Sequence, residues 1–527
     1  MSDLAPSPTL PGLIGAGTTA PSVLSVIDVG SSGVRMLLAE LQPDGTVRIL
    51  EDVQKPLALG RETFRTGTLS AASIQKAVNM LRQYRAMMDS YGVTHTRAVA
   101  TSAVRSALNR DTFVDRVFLA TGIEVEVIEG SQETLLTFAA VQRALKARPD
   151  LTVEDSLMFE LGAGSTEWAL VRGGDVAGSL TYDLGTLRIR ELLRGEEADR
   201  RAVTRLIQHN VREMMNEVKR TLPFEKVGNL IAIGPEARFA ARALKGEGDL
   251  AAVSAKDLRT LADKIFAMTP AEVAASFSIT SVEAESLAPA FIAYAELIRL
   301  NPVDRLLVAR AGIRDGLLLQ VAKLIQSGSA VFFPEQTIAA ALNLARKYHA
   351  DERHGLHTAA LARSIFDATQ TQHGMGEMER LLLEVASIVH DIGNYVAARG
   401  HHRHAYYLLV NSEVFGLSKM ELEIVANVAR YHRKAGPQSD HPAYAALPRA
   451  ARLTVNRLSA ILRVADALDK AHGQRIQNPR ITVEEGELRI AADGTEDLAL
   501  ERLTLDQKGG LFEEVFGLKP LLSEETT

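Results

Sequence analysis

Two segments of this chain end an apolar run in an acid and follow it with small residues. Leu24 to Ser32 reads LSVIDVGSS and Ser156 to Ser165 reads SLMFELGAGS, so Asp28 and Glu160 hold the same place 132 residues apart. A strand that stops in a turn of glycine and serine exposes successive backbone N–H groups, and small residues let that concave backbone approach an anion. Gly30, Ser31 and Ser32 in one loop, and Gly162, Ala163, Gly164 and Ser165 in the other, are therefore candidates for holding phosphate oxygens. Asp28, Glu160 and Glu167 (in GSTEW) offer oxygen ligands for Mg²⁺. Either loop alone reads equally well as a tight strand-to-hairpin turn. Two in matching order, separated by about the length of one domain, point to a duplicated α/β fold whose loops face one cleft. Two phosphate cradles across a cation suit phosphoryl transfer, which depends on positioning and on stabilising charge.

Histidine forms a second concentration: eight of the thirteen lie between His349 and His404. His354 and His357 share a helix face, His390 and Asp391 are adjacent in SIVHDIGN, and Asp466 lies in RVADALDK. This order resembles the metal signature of HD-type phosphohydrolases. Neutral imidazoles and carboxylates bind divalent transition metals, and a metal-bound water becomes a usable nucleophile as its pKa falls. His354, His390, Asp391 and Asp466 are the expected ligands. His401, His404 and His432 line the same site or contact phosphate, and His357 reads as a helix-face residue. The alternative is a packing and dimerisation module that binds no metal.

The elements that must position these groups show in the hydrophobic pattern. Apolar runs alternate with amphipathic stretches: Leu24 to Ile27, Ala71 to Tyr91, Ala98 to Thr101, Ile123 to Ile128 and Gln132 to Lys146. A second round follows with Ser156 to Glu160, Trp168 to Val171, Arg201 to Thr221, Leu230 to Ile233 and helices to Ile325. Strands alternating with helices predict an α/β protein with partly parallel sheets. Beyond Gly328 apolar residues recur three and four apart, as in Ala339 to Lys347, His357 to Phe366, Met378 to Ile388 and Leu453 to Leu468, which predicts an all-α domain. Arg480 to Val483 and Glu487 to Ala491 read as a closing hairpin. The expected organisation is a disordered tail (1–22), two lobes (23–150 and 151–328), a helical domain (329–510) and a C-terminal tail (511–527).

Bulk properties narrow the function. At 527 residues the chain exceeds a single core. No apolar run reaches the roughly 18 to 20 residues of a membrane span, and the start lacks a secretory pattern, so a cytoplasmic location with no membrane partner is expected. The absence of cysteine excludes disulfides and thiolate sites. A net charge of −6 without a basic footprint argues against DNA as a partner. A homodimer is the expected assembly.

IDVGSSGVRMLLAE, ATSAVRSALN, IEVEVIEGSQE and LGAGSTEW, with HHRHAYYLL and ARYHRKAG further on, resemble in order and spacing the signature segments of the exopolyphosphatase and guanosine pentaphosphate phosphohydrolase family. The resemblance runs from Leu24 over nearly the whole chain. It implies two ribonuclease-H-like lobes of the actin, Hsp70 and sugar-kinase type, here followed by an all-α HD-type domain with a small β tail. It further implies that Glu133 is the general base activating water, and that Arg105 reaches substrate phosphates. By residue type alone, Ser131 or Glu133 reads as a helix-capping group. The chain departs from the family pattern at Ser32, Gly33, Gln132, Glu160, Ala163 and Pro235. The expected activity is release of orthophosphate from the ends of inorganic polyphosphate with Mg²⁺. The alternatives are removal of the 5′-terminal phosphate of guanosine pentaphosphate, or a weakened protein that binds alarmone or polyphosphate as a regulator.

Overall fold

The computed structural model describes residues 21–192, 200–222, 224, 226–328, 333–493 and 498–525. They belong to two compact units that part near residue 330. Residues 1–20 of the expected N-terminal tail lie outside the described residues, and Ser22 already opens the first strand.

The first unit contains two sheets built to one plan. In the first, β1 (Ser22–Val29), β2 (Gly33–Leu41), β3 (Val47–Pro56), β4 (His95–Ala100) and β5 (Val125–Val127) lie in the order β3-β2-β1-β4-β5. In the second, β6 (Ser156–Leu161), β7 (Thr166–Arg172), β8 (Asp175–Tyr182), β9 (Asn229–Ile233), β10 (Leu250–Ser254) and β11 (Arg305–Ala309) lie in the order β10-β11-β9-β6-β7-β8. Each sheet has a three-stranded antiparallel meander, followed by parallel strands added on the other side of the first strand. The antiparallel edge strand β10 is the one addition to the second sheet. The repeated acid-glycine segments are thus the β1–β2 and β6–β7 turns of a duplicated fold.

β1 is apolar on consecutive positions because both faces of the sheet are covered. Ile27 and Val29 pack with the helices Ala71–Ser90 and Arg110–Thr121 on one face. Leu24 and Val26 meet Leu136, Leu317, Leu318 and Val321 on the other. The second sheet is anchored by Trp168, stacked on Phe159 with centroids 5.1 Å apart. The lobe boundaries read from sequence need one correction. The helix Ile313–Ser327 follows the last strand of the second sheet in the chain, yet its apolar face completes the core of the first. Periodicity shows that a helix has an apolar face; it does not say which sheet that face covers.

The second unit is helical, around the helix Arg449–Leu468, on which every residue from Leu458 to Leu468 is buried. Glu352–Ala368, Glu377–Val389 and Lys419–Tyr431 pack against it. The expected hairpin is β12 (Arg480–Glu484) with β13 (Glu487–Asp493). The C-terminal tail expected over 511–527 is corrected. Gly510–Phe516 is a helix with Phe512 fully buried, and β14 (Lys519–Glu525) pairs in parallel with β13. No described helix is long and apolar enough to cross a membrane.

Gly316 fixes how Ile313–Ser327 lies on the helix Gly130–Lys146: a Cβ there would stand 2.0 Å from the Leu136 carbonyl oxygen. Gly316→Ala should gain about 1 kcal/mol of helix propensity and lose more, about 1–3 kcal/mol, to overpacking. Urea unfolding is expected to show a net loss of stability. An unchanged or raised midpoint would mean the two helices are free to separate.

Candidate active site

The two loops close with the same bond. Gly30 N–H donates to the Gly33 carbonyl at 2.9 Å, and Gly162 N–H to the Ser165 carbonyl at 3.0 Å. In each loop the next carbonyl is taken by the helix that follows the third strand of the meander. Ser31 accepts from Gly60 N–H and Ala163 from Leu187 N–H, both at 2.9 Å. Among the described residues nothing in the chain accepts from the amides of Ser31, Ser32, Ala163 or Gly164, so these remain for an anion. Gly164 has a second task. A Cβ there would lie 2.2 Å from the Phe64 ring and 2.7 Å from Ser102 Oγ, so its bare Cα lets the second loop pack on the first lobe.

Parallel pairing of β1 with β4 brings the end of β4 beside the first loop, where Ser31 Oγ and Ser102 Oγ are 2.8 Å apart. Arg105 ends the short helix begun by Ser102. Its guanidinium donates to the Ile128 carbonyl at 2.8 Å and to Glu133 at 3.2 Å. Arg105 is therefore a partner of the expected base. Glu133 lies in the first turn of Gly130–Lys146. The capping role goes to its neighbour, since the Gln132 side chain accepts from Glu129 N–H at 3.0 Å. Glu133 is left 14% exposed beside Arg105.

Asp28 and Arg35 are register partners on β1 and β2, and their side chains pair at 3.1 Å. Arg35 also donates to Ser32 Oγ at 3.1 Å. At the equivalent place on β6 and β7, the opposed residues are Glu160 and Glu167. Such partners have Cβ atoms only about 4.5–5.5 Å apart, which sets two carboxylates against each other. Thr137 Oγ1 donates to Glu160 at 3.3 Å and Ser165 Oγ to Glu167 at 2.5 Å. The expectation that Asp28, Glu160 and Glu167 share a cation is thus modified. Of these three acids, Asp28 is engaged by Arg35, while Glu160 and Glu167 have no ion pair among the described residues.

These groups line one cavity of about 330 Å³, with Asp28, Ser31, Glu133, Glu160, Ser165 and Glu167 in its wall. Withdrawal from water raises the proton affinity of Glu133, with Arg105 opposing and Asp28 reinforcing the rise. The same withdrawal, reinforced by Glu133 and Asp28, lifts Glu160 to about 7, and it holds Glu167 well above the carboxylate range. Three acids reluctant to lose their protons together are what a bound cation would relieve, so the donor set fits Mg²⁺.

Sequence reasoning missed the cations of this cavity. Arg35 stands seven residues after Asp28 just as Glu167 stands seven after Glu160; carrying the internal echo one strand further would have found it. Arg238 faces Glu160 from the helix Pro235–Ala243. That helix also explains Gly234-Pro235: the glycine takes φ 104° and the proline starts the helix, where a missing N–H costs nothing. Arg314, on the same cavity wall, pairs with Asp52 at 2.5 Å.

In the helical unit the histidines converge. His354, His390 and Asp391 place ligand atoms within 4.8 Å of one another, as do His390, His432 and Asp466, and Asp391, His401 and His432. Asp466 and Asp469 raise the pKa of His354 to about 9 despite burial, whereas burial drives His432 down to about 3. His404 joins none of these groups and is half-buried on Ser-free helix surface of His401–Val410, and His357 likewise stays outside the cluster.

Residues 41–324 match the model of the Ppx/GppA phosphatase family, and residues 337–508 match that of Ppx/GppA phosphatase domain III. The chain is 27% identical over 317 residues to exopolyphosphatase 1 of Mycobacterium leprae, covering 58% of this chain and 92% of that one. It is 29% identical over 172 residues to a bifunctional 3-dehydroquinate synthase/phosphatase of Fusobacterium nucleatum, spanning a quarter of that relative's length and 31% of this chain. Among solved structures, an exopolyphosphatase-like protein superposes with a TM-score of 0.52 at 22% identity, and an exopolyphosphatase from Cytophaga hutchinsonii with 0.51 at 20%. Each superposition covers 57% of this chain and 98% of the other. These likenesses establish two lobes of the actin-like fold.

If Arg238 serves the cavity as an anion-binding cation, Arg238→Met should weaken tripolyphosphate binding by about 10-fold or more, the 1.4 kcal/mol scale of one charge-assisted contact. Calorimetric titration reads this directly. Equal affinity in the variant would reduce Arg238 to a partner of Glu160.

Proposed function

The chain belongs to the Ppx/GppA phosphatase family, and from that premise we propose that it is an exopolyphosphatase, releasing orthophosphate from the ends of inorganic polyphosphate. The observation that carries this reading is the meeting of Ser31, Ser165 and Glu133, from three distant parts of the sequence, on one cavity.

The terminal phosphate would lie between the loops, its oxygens taken by amides of Ser31, Ser32, Ala163 and Gly164. Glu133, with proton affinity raised by burial, would accept a proton from water as the water oxygen attacks the terminal phosphorus. The bond from that phosphorus to the bridging oxygen then breaks, and the shortened chain leaves with the negative charge. Arg105 would orient Glu133 and favour its ionised form against the effect of burial. Mg²⁺, held by Glu160 and Glu167, would supply neutralisation of phosphate charge. In the helical unit, His354, His390, Asp391 and Asp466 would hold one divalent transition metal, in keeping with the HD-type resemblance.

Glu133→Gln is expected to cut phosphate release from polyphosphate by about 10²–10⁴-fold, measured with malachite green beside guanosine pentaphosphate as a competing substrate. Unchanged release would remove Glu133 from the role. Faster turnover of guanosine pentaphosphate would reassign the substrate, and binding without release would mark a regulator.

Arg105 also makes a pH prediction. A base works ionised, so activity falls as pH drops through its pKa. Arg105 opposes the raised proton affinity of Glu133; Arg105→Ala should therefore move the acid limb of the rate profile to higher pH. A limb that stays in place, at any rate level, would separate Arg105 from the ionisation of Glu133.

A further inference from the structure

The cavity of the first unit has room for more than the terminal phosphate. Its volume is about 330 Å³, where about 10–15 Å³ already holds one water. Leu37, Ile49 and Ile313 continue its wall beyond the loops, with Arg310 and Arg314 beside them. Arg310 directly follows β11, and Arg314 lies in the first turn of the helix Ile313–Ser327. Burial lowers the proton affinity of Arg238, and the charges of Arg314 and Arg35 add to that fall, so these guanidiniums lie within electrostatic reach of one another. Arg310 donates to the Gly246 carbonyl at 3.3 Å and has no carboxylate partner among the described residues.

Arg314 differs, because a carboxylate of this chain blocks it. Its Nη1 donates to Asp52 Oδ1 at 2.5 Å and its Nη2 to Asp52 Oδ2 at 3.4 Å, so the fork takes both oxygens. The Arg314 side chain is 17% exposed and that of Asp52 is 54% exposed. Asp52 lies on β3, the edge strand of its sheet, opposite Leu37 on β2. β3 stands two strand spacings, about 10 Å, from β1, whose turn holds Ser31. That is beyond the reach of a phosphate bound to the loop amides, since hydrogen bonds span only about 3 Å. Fixing the helix does not call for this pair. Leu317, Leu318 and Val321 already bury its apolar face, and an ion pair with one exposed partner adds little to stability.

An arginine fork holds a carboxylate and a phosphate by the same pair of parallel bonds. Asp52 therefore occupies the place that an inner phosphate of a long chain would take. We propose that Asp52 is a specificity-determining residue, which competes with polyphosphate for Arg314 and so weakens the hold on chains long enough to reach it. This deepens the exopolyphosphatase reading above and rests on it. A chain that ends at the loops meets neither Asp52 nor Arg314. A longer chain must turn Asp52 away from Arg314, and the freed carboxylate then stands as a like charge beside it. Exposure lets Asp52 swing into water, so the effect is a graded loss of affinity with length and not exclusion.

The test is calorimetric titration of the full chain carrying Glu133→Gln, which leaves the ligand intact, with pyrophosphate and with long-chain polyphosphate. Adding Asp52→Asn should tighten long-chain binding by about 5-fold, the scale of one partly exposed charge pair, and leave pyrophosphate binding unchanged. Asp52→Glu restores the carboxylate and should return long-chain affinity toward that of the parent. Arg314→Met should weaken long-chain binding and leave pyrophosphate binding unchanged. Asp52→Ser repeats the test should Asp52→Asn fail to fold by circular dichroism. Equal long-chain affinity with and without the Asp52 carboxylate, or an equal gain for both ligands, overturns the role of Asp52. Undiminished long-chain binding in Arg314→Met overturns it as well, since the chain then never reaches that fork. These outcomes leave the proposed phosphatase chemistry standing, whereas binding of neither ligand by the parent overturns the polyphosphate reading and the role of Asp52 together.

Discussion

Crowding of negative charge governs the first unit. Asp28, Glu133, Glu160 and Glu167 surround one cavity that must also admit an anion. Like charges about 4 Å apart in protein surroundings repel by about 4 kcal/mol, a large fraction of the stability of a typical domain. The chain answers with cations set in these walls or against the acids that line them. Arg35 pairs with Asp28, Arg105 with Glu133, and Arg238 faces Glu160. At Glu167, where burial and the neighbouring Glu133 outweigh the pull of Arg105, the carboxyl keeps its proton affinity far above the usual range. A divalent cation and a phosphate chain arriving together would therefore complete a charge balance that the side chains alone leave unfinished.

Duplication explains how such crowding arises. Two meanders of the same topology present equivalent turns, in which carbonyls are taken by the segment that follows the third strand while the turn amides meet no acceptor among the described residues. The lobes then diverge at one register pair: an acid and a base in the first sheet, two acids in the second. That substitution gives one lobe an internally neutral loop and the other a cation-seeking one. The helix Ile313–Ser327 binds the lobes by leaving the second sheet and completing the core of the first.

In the helical unit the deciding constraint is on imidazole protons. Carbonyl acceptors at Ser387, Ala398 and Ala429, and the carboxylate of Asp469, fix the Nδ1 side of four rings. The opposite nitrogens then have no role except toward a proton or a metal. Neither unit's cluster is explained by packing, which would have favoured apolar residues at these buried positions.

Residue type and short spacing were enough to read the acid-glycine loops, the alternation of strands and helices, the helical C-terminal region and the concentration of histidine, since each is a local pattern fixed by backbone sterics and side-chain chemistry. Those patterns could not say that Gln132 takes the cap and frees Glu133, that Arg105 turns to Glu133, or that Asp28 is occupied by Arg35. The Asp28 pairing depends on which strand lies opposite which, and register is set by the whole buried face of a sheet; the Arg105 contact depends on how two helices distant in the chain are brought together, and the Gln132 cap, though local, is one of several that the polar residues at that helix start allow. The same holds for His401 and His432, 31 residues apart on different helices, which meet only because the bundle packs them together. The sequence alone determined which chemical groups were present and on what kind of element. The tertiary structure decided which of them share a charge, because electrostatic pairing depends on distances that chain separation does not encode.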